Sequence, residues 1–198
     1  MSHYFINDKT KKSDPYKFVT KVGTYTFTFA TNSGVFAKRG LDFGSRILIE
    51  ALLKENVSGK VLDLGCGYGP IGIVLSKHFD LSVDMSDVNK EALSLTRSNI
   101  KRNNVVGKTI NSKAYEKITK KYNYIITNPP IRAGKKAVYE IIFGAKNNLT
   151  KDGELWIVIR KEQGAKSLIK DMQETYTTDV ITRNKGFYVI KCKMCWHK

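Results

Sequence analysis

The twelve residues Val61-Leu-Asp-Leu-Gly-Cys-Gly-Tyr-Gly-Pro-Ile-Gly72 constrain this chain more than any other stretch. A short apolar strand, Val61–Leu64, runs into alternating glycines and then into the apolar run Ile71–Leu75. Glycines let a backbone turn sharply and approach a ligand where a Cβ would clash. Strand, glycine turn and helix in that order predict the first βα unit of a doubly wound sheet, with its ligand at the carboxyl end of the strand. A dinucleotide fingerprint needs G-x-G-x-x-G, and counted from Gly65 its third glycine would fall on Pro70. A pyrophosphate site, and with it a nicotinamide dehydrogenase, is disfavoured.

The flanking pattern agrees with such a sheet. Residues 16–29 alternate with Gly23 at their middle, Tyr25, Phe27 and Phe29 sharing one face, and predict an antiparallel hairpin. Residues 44–55 have helical spacing with Ser45 as cap. Strands are expected at Leu81–Val83, Tyr124–Thr127 and Glu154–Ile159, and helices at Lys90–Asn103, Val138–Leu149 and Gly164–Glu174. Two final strands, around Val180–Arg183 and Phe187–Cys192, flank the tight turn Asn184-Lys-Gly. Repeated βα alternation implies an α/β fold with a mostly parallel sheet covered on both faces, and the final hairpin adds an antiparallel edge. The expected organisation is an N-terminal β-hairpin extension over residues 1–43 followed by a main domain over residues 44–198.

Composition sets the remaining bounds. Of 198 residues, 41% are hydrophobic, which is enough for a core and excludes disorder for the bulk of the chain. No apolar run approaches the roughly 20 residues of a membrane span, and the first residues lack a basic and then apolar signal, so a cytoplasmic protein is expected. Cys66, Cys192 and Cys195 cannot all pair, and Cys192-x-x-Cys195 with His197 supplies only three ligands, so no metal is expected. The net charge is +16, carried by 27 Lys and 7 Arg spread over every third of the chain. A polyanionic partner such as nucleic acid fits that charge, and so does a compositional habit of the source genome.

Two motifs decide the chemistry. Asp63-x-Gly65-x-Gly67-x-Gly69 resembles motif I of the class I S-adenosylmethionine-dependent methyltransferases, and Asn128-Pro129-Pro130 resembles the Asn/Asp-Pro-Pro motif of those that modify exocyclic or amide nitrogens. An exocyclic amine is a poor nucleophile because its lone pair is delocalised into the ring. The Asn128 oxygen and the carbonyl that follows it can accept its two N–H bonds, favouring a pyramidal nitrogen with its lone pair aimed at the methyl. Prolines contribute no competing N–H and hold the loop rigid. Catalysis of this kind is orientation and electrostatics, without a covalent intermediate.

Together with Ser33-Gly-Val-Phe36, Asp42-Phe-Gly-Ser45, Asn128-Pro-Pro-Ile-Arg-Ala-Gly-Lys135 and Lys161-Glu-Gln-Gly-Ala-Lys-Ser, these motifs resemble the small-domain methyltransferase family. More narrowly, they resemble single-domain relatives of the 16S rRNA guanine-N2 methyltransferases. The resemblance implies a doubly wound, seven-stranded, Rossmann-like sheet, S-adenosyl-L-methionine as cofactor, and rRNA or a ribosomal subunit as partner. It places Asp63, Gly65, Cys66, Gly67, Gly69, Asp87, Val88, Ser112 and Asn128 around the cofactor, and Asn128, Pro129, Pro130 and Ile131 at the reaction. Asp87 is favoured over Asp84 as the ribose acid, with Asp84 expected to cap or face solvent. Two departures stand out: Lys113 cannot accept a bond from the adenine amine, leaving Ser112 or a backbone carbonyl, and Ile131 replaces a stacking aromatic, leaving that role to Arg132 or Phe36. RNA contacts are expected from Arg132, Lys135 and Lys136 and from Lys38 and Arg39. The rivals are a protein glutamine-N5 methyltransferase and a non-catalytic RNA-binding or assembly factor of the same fold.

Overall fold

The computed structural model describes residues 16–32 and 40–195. Nine strands and five principal helices follow one another as β1 (Tyr16–Val22), β2 (Tyr25–Thr31), α1 (Phe43–Leu52), β3 (Val61–Leu64), α2 (Pro70–Phe79), β4 (Val83–Asp87), α3 (Lys90–Arg102), β5 (Gly107–Asn111), β6 (Tyr122–Thr127), α4 (Lys135–Gly144), β7 (Leu149–Arg160), α5 (Ala165–Met172), β8 (Tyr176–Asn184) and β9 (Phe187–Met194), among the described residues. β3 to β9 form one sheet in the order β5-β4-β3-β6-β7-β9-β8. The first five strands of that order are parallel, and β9 runs antiparallel to both β7 and β8.

Strand periodicity builds two apolar layers. Leu155, Ile157 and Ile159 of β7 face α4 and α5, whereas Trp156 and Val158 face α1, α2 and α3. Successive strand side chains point to opposite faces, so a continuous apolar run of this kind fits a strand covered on both sides. Strand order reverses between β3 and β6, and a doubly wound sheet opens its ligand crevice at that point, outside the carboxyl ends of the strands. The glycine turn after β3 and the Asn128 loop after β6 therefore flank one crevice. Thr127 Oγ1 donates to Leu64 O at 2.9 Å and ties the two strand ends together.

The hairpin β1–β2 forms its own two-stranded sheet, but Phe27 and Phe29 are buried in the same apolar layer as α2 and α3. Two amides one helical turn apart, Asn99 on α3 and Asn103 at its C-cap, cover the edge of β2. Asn99 accepts from Ala30 N (2.8 Å) and donates to Ala30 O (2.9 Å); Asn103 does the same with Thr28 N (3.0 Å) and Thr28 O (2.9 Å). Side-chain amides here complete a ladder that a neighbouring strand would otherwise complete, and they blunt an exposed edge. Asn99 Nδ2 also donates to Tyr68 O at 2.9 Å, which links the hairpin to the glycine turn. Asn99→Ala leaves buried backbone groups unpaired, so a loss of about 3 kcal/mol is expected in a denaturant titration; a loss under about 0.5 kcal/mol would mean that these bonds carry no net stability.

Several boundaries differ from the sequence expectation. The second parallel strand runs over Val83–Asp87 rather than Leu81–Val83, because Asp84 and Ser86 are buried and only look like turn residues. β5 has a weakly patterned, half-exposed sequence at the sheet edge and carries no strand signal of its own. α4 begins and ends earlier than Val138–Leu149, since Leu149 already starts the 12-residue β7. Helix α1 begins at Phe43, and its cap is Asp42, whose carboxylate accepts from Ser45 N at 3.0 Å; Ser45 is not the cap.

Candidate active site

The glycine turn is held open by its neighbours. Gly65, Gly67 and Gly69 all have positive φ (74°, 58° and 90°), a conformation that other residues adopt only under strain. Gly65 N and Cys66 N both donate to Ser86 O at the end of β4 (2.8 and 2.9 Å), and Thr96 Oγ1 of α3 donates to Gly67 O at 2.7 Å. A Cβ at Gly69 would come within 2.8 Å of Thr96 Cγ2, so close helix packing requires glycine there. At Gly65 a Cβ would meet no protein atom within 4 Å. That side of the turn faces open space, as a cradle for a ligand must.

Two acids frame the cradle. Asp63 is 1% exposed; its Oδ2 accepts from Gly72 N at 2.8 Å, while its Oδ1 is buried with no hydrogen-bond partner among the described residues. Burial pushes its carboxyl up to about 7, against the opposing Gly72 hydrogen bond and with help from the nearby Asp87 charge. A buried oxygen left without a donor is what a bound ammonium would satisfy. Asp87 ends β4 with Oδ2 accepting from Gly67 N (2.9 Å) and Oδ1 from Asn89 N (2.8 Å). Val88 beside it is 66% exposed, an apolar surface of the kind a ring would cover.

Asp84 has a different environment from the one expected. It is 6% exposed and accepts from Lys120 Nζ and from Tyr122 Oη, each at 2.8 Å. It neither caps a helix nor faces solvent, and its buried pairing takes it out of the crevice.

Ser112 is buried after β5, with its hydroxyl donating to Ala114 O (3.0 Å) and accepting from Lys117 N (3.0 Å). Lys113 faces solvent 3.8 Å from Glu116. Cys66 is buried and its thiol is pushed well above the ordinary range, chiefly by burial, which leaves it without nucleophilic character. Cys192 is fully buried, and Cys195 Sγ lies 3.5 Å from Thr177 Oγ1. No group of three or more His, Cys, Asp or Glu is arranged to hold a metal among the described residues, and no helix of those residues is long and apolar enough to cross a membrane.

Across the crevice, the Asn128 amide is anchored from one side. Its Nδ2 donates to Ser45 Oγ at 3.1 Å and to Asp42 Oδ1 at 3.3 Å. A carboxylate only accepts, so the nitrogen of the amide must face Asp42 and the oxygen must face away. Oδ1 takes no hydrogen bond from any described residue. Pro129 is buried, Pro130 is exposed, and Ile131 opens a short 3-10 turn ending at Ala133. Arg132 and Lys136 are exposed; Lys135 lies 3.9 Å from Asp171 and 4.7 Å over the Tyr139 ring. Lys38, Arg39 and Phe36 fall outside the described residues. The residue that sequence reasoning missed is Asp42: the motif Asp42-Phe-Gly-Ser45 was visible, but nothing local in it tells that its carboxylate reaches a loop 86 residues away.

The Methyltransferase small domain family profile matches residues 26–191. The chain is 40% identical over 196 residues to the uncharacterized protein YbxB of Bacillus subtilis, covering 96% of this chain and 98% of that one. It is 34% identical over 146 residues to the ribosomal RNA small subunit methyltransferase C of Vibrio parahaemolyticus, covering 71% of this chain and 42% of that protein. It thus spans about half or less of the length of such relatives. Among solved structures it resembles a 16S rRNA N2 G1207 methyltransferase of T. Thermophilus in complex with AdoMet and guanosine, with a TM-score of 0.82, 21% identity, and coverage of 91% of this chain and 51% of that one.

Proposed function

The chain belongs to the methyltransferase small-domain family, whose cofactor is S-adenosylmethionine, and from that premise we propose that it methylates ribosomal RNA, at the exocyclic N2 of a guanine in the small subunit. The observation that carries this reading is the one-sided anchoring of Asn128, which leaves a preset acceptor oxygen at the switch point of the sheet. Relatives that bear the name ribosomal RNA small subunit methyltransferase C, and the +16 charge, support the RNA acceptor.

The cofactor supplies an electrophilic methyl group when bound. Asp63, through the oxygen that lacks a partner, would meet its amino-acid end; Asp87 would take the ribose hydroxyls; Val88 would cover one face of the adenine; Gly65 leaves room for close approach. Asn128 Oδ1 and the following carbonyl accept the two N–H bonds of the guanine amine, which turns its lone pair out of conjugation. Pro129 and Pro130 keep the loop rigid and free of competing donors. Asp42 and Ser45 are positioning residues: they act on the reaction only through the orientation of Asn128. With the division at residue 43, Asp42 belongs to the extension, which therefore contributes to the site and is more than an appendage.

Incubation with radiolabelled S-adenosylmethionine and small ribosomal subunits, or their deproteinised rRNA, tests the reading. Label is expected in RNA and, after digestion, in N2-methylguanosine. Label in protein would favour the glutamine-N5 activity, and no incorporation with intact cofactor binding would favour a non-catalytic assembly factor.

A further inference from the structure

The end of the sheet beside Asn128 carries cations that the chain does not neutralise. β7 ends at Arg160, which pairs across the sheet with Phe187 at the start of β9. The Arg160 guanidinium lies 4.5 Å over the Phe187 ring, Lys185 Nζ 5.1 Å over the Phe43 ring, and the Arg183 guanidinium 5.2 Å over the Tyr188 ring. Phe43 and Phe187 pack on one another at 5.5 Å, and a Cβ at Gly44 would come within 3.0 Å of the Phe187 ring, so glycine admits that ring beside α1. All three cations are exposed, and among the described residues none has a carboxylate within 4.0 Å, Glu162 of the adjoining turn included. Lys191 and Lys193, lower on the same strand β9, are instead paired with Glu154.

The difference matters physically. A carboxylate both positions a cation and cancels its charge, whereas a ring face positions it and leaves most of the charge available. Arg160 and Lys185, propped on the packed rings of Phe187 and Phe43 on one face of the sheet and lacking counter-charges, form a preorganised site for an external polyanion. Arg183 stands with Tyr188 on the opposite face. Phe43 directly follows Asp42, the residue that anchors the Asn128 amide, so this rim and the acceptor oxygen are joined through a single peptide unit.

We propose that Arg160 and Lys185, held on the packed rings of Phe187 and Phe43, bind phosphodiester groups of the acceptor RNA strand flanking the target nucleotide. The proposal rests on the RNA reading above and adds a surface to the Arg132, Lys135 and Lys136 loop, where Lys135 is already partly balanced by Asp171.

The test is filter binding of radiolabelled, deproteinised small-subunit rRNA over a range of salt, comparing wild type with R160Q/K185Q and with K101Q/K108Q. Lys101 and Lys108 are exposed at the end of α3 and on β5, and the second variant loses the same net charge away from the crevice. Loss of two phosphate contacts is expected to weaken binding by the rim variant about tenfold and to flatten its log Kd against log salt slope by about 1.4. The control variant keeps the wild-type slope, and calorimetry gives an unchanged cofactor Kd for both variants, which shows that they fold. R160K/K185R recovers most of the affinity. A rim variant with the wild-type slope, or a control that loses as much, overturns the rim while leaving the RNA reading in place. Absence of RNA binding by the wild type overturns the RNA reading, and the rim with it.

Discussion

Asn128→Ala is expected to lower kcat about a hundred- to thousandfold while changing the cofactor Kd by less than about threefold. The reasoning starts from the hydrogen-bond inventory. Asn128 has four side-chain hydrogen-bonding positions, and its donor end is spent on Ser45 and Asp42, so its remaining role is that of an acceptor. An acceptor aimed at an amine matters most when the nitrogen becomes pyramidal and its N–H bonds grow more acidic, which happens on the way to the transition state. Removing it therefore costs turnover rather than ground-state binding. The positioning pair gives a graded check. Ser45→Ala keeps one anchor and is expected to cost less than tenfold, whereas Asp42→Asn replaces an obligate acceptor with an amide that can also donate, and so allows Asn128 to flip. Both should act on kcat with KM for RNA little changed. If Asn128→Ala removes cofactor binding as much as turnover, the separation of roles is wrong.

The parts of this site that were legible in the sequence are those whose chemistry is local. Asp63-x-Gly-x-Gly-x-Gly and Asn128-Pro-Pro announce themselves because a sharp turn needs glycine and a donor-free loop needs proline. The buried strands of the sheet were legible for a similar reason: Leu155–Ile159 is an unbroken apolar run, and β7 proves to be a strand covered on both faces. Pairings that span the chain were not legible. Asp84 reads as a turn or surface acid from its neighbours, and only the fold shows Lys120 and Tyr122 closing on it from 36 and 38 residues away. Asp42 caps α1 and also anchors Asn128, while Ser45 serves only as anchor, an arrangement that a capping preference alone assigns wrongly because both residue types are good caps and only tertiary contact separates them. Arg160 and Lys185 look like ordinary surface charge until the β8–β9 hairpin sets them over aromatic rings.

Cofactor affinity is expected to fall as pH drops through about 7, because Asp63 must lose its proton to receive an ammonium. Its carboxyl stands near 7 in the folded chain against an ordinary value of 3.8, with desolvation the main cause. The sign follows directly. Between pH 4 and 7 the folded state holds a proton that the unfolded state has released, so the stability of the cofactor-free protein declines as pH rises across that window and is lowest above it. Lifting the group from 3.8 to about 7 corresponds to at most about 4 kcal/mol of destabilisation at pH 8. A bound cation reverses the cost by pairing with the buried charge, so binding below pH 7 must release a proton, and affinity should fall by up to about tenfold for each pH unit below that point. Calorimetric titrations between pH 5.5 and 8, run in buffers of different ionisation enthalpy, measure both the affinity and the released proton. Asp63→Asn separates the two halves of the argument: it removes the charge and its desolvation cost while keeping an oxygen for Gly72 N. Its cofactor-free form is expected to be more stable than wild type at pH 8, and its cofactor affinity about ten- to a hundredfold weaker and insensitive to pH. An affinity that stays flat across pH 7 in the wild type, or a variant no more stable than wild type at pH 8, would show that the buried oxygen of Asp63 is satisfied in some other way and that the ammonium is held elsewhere.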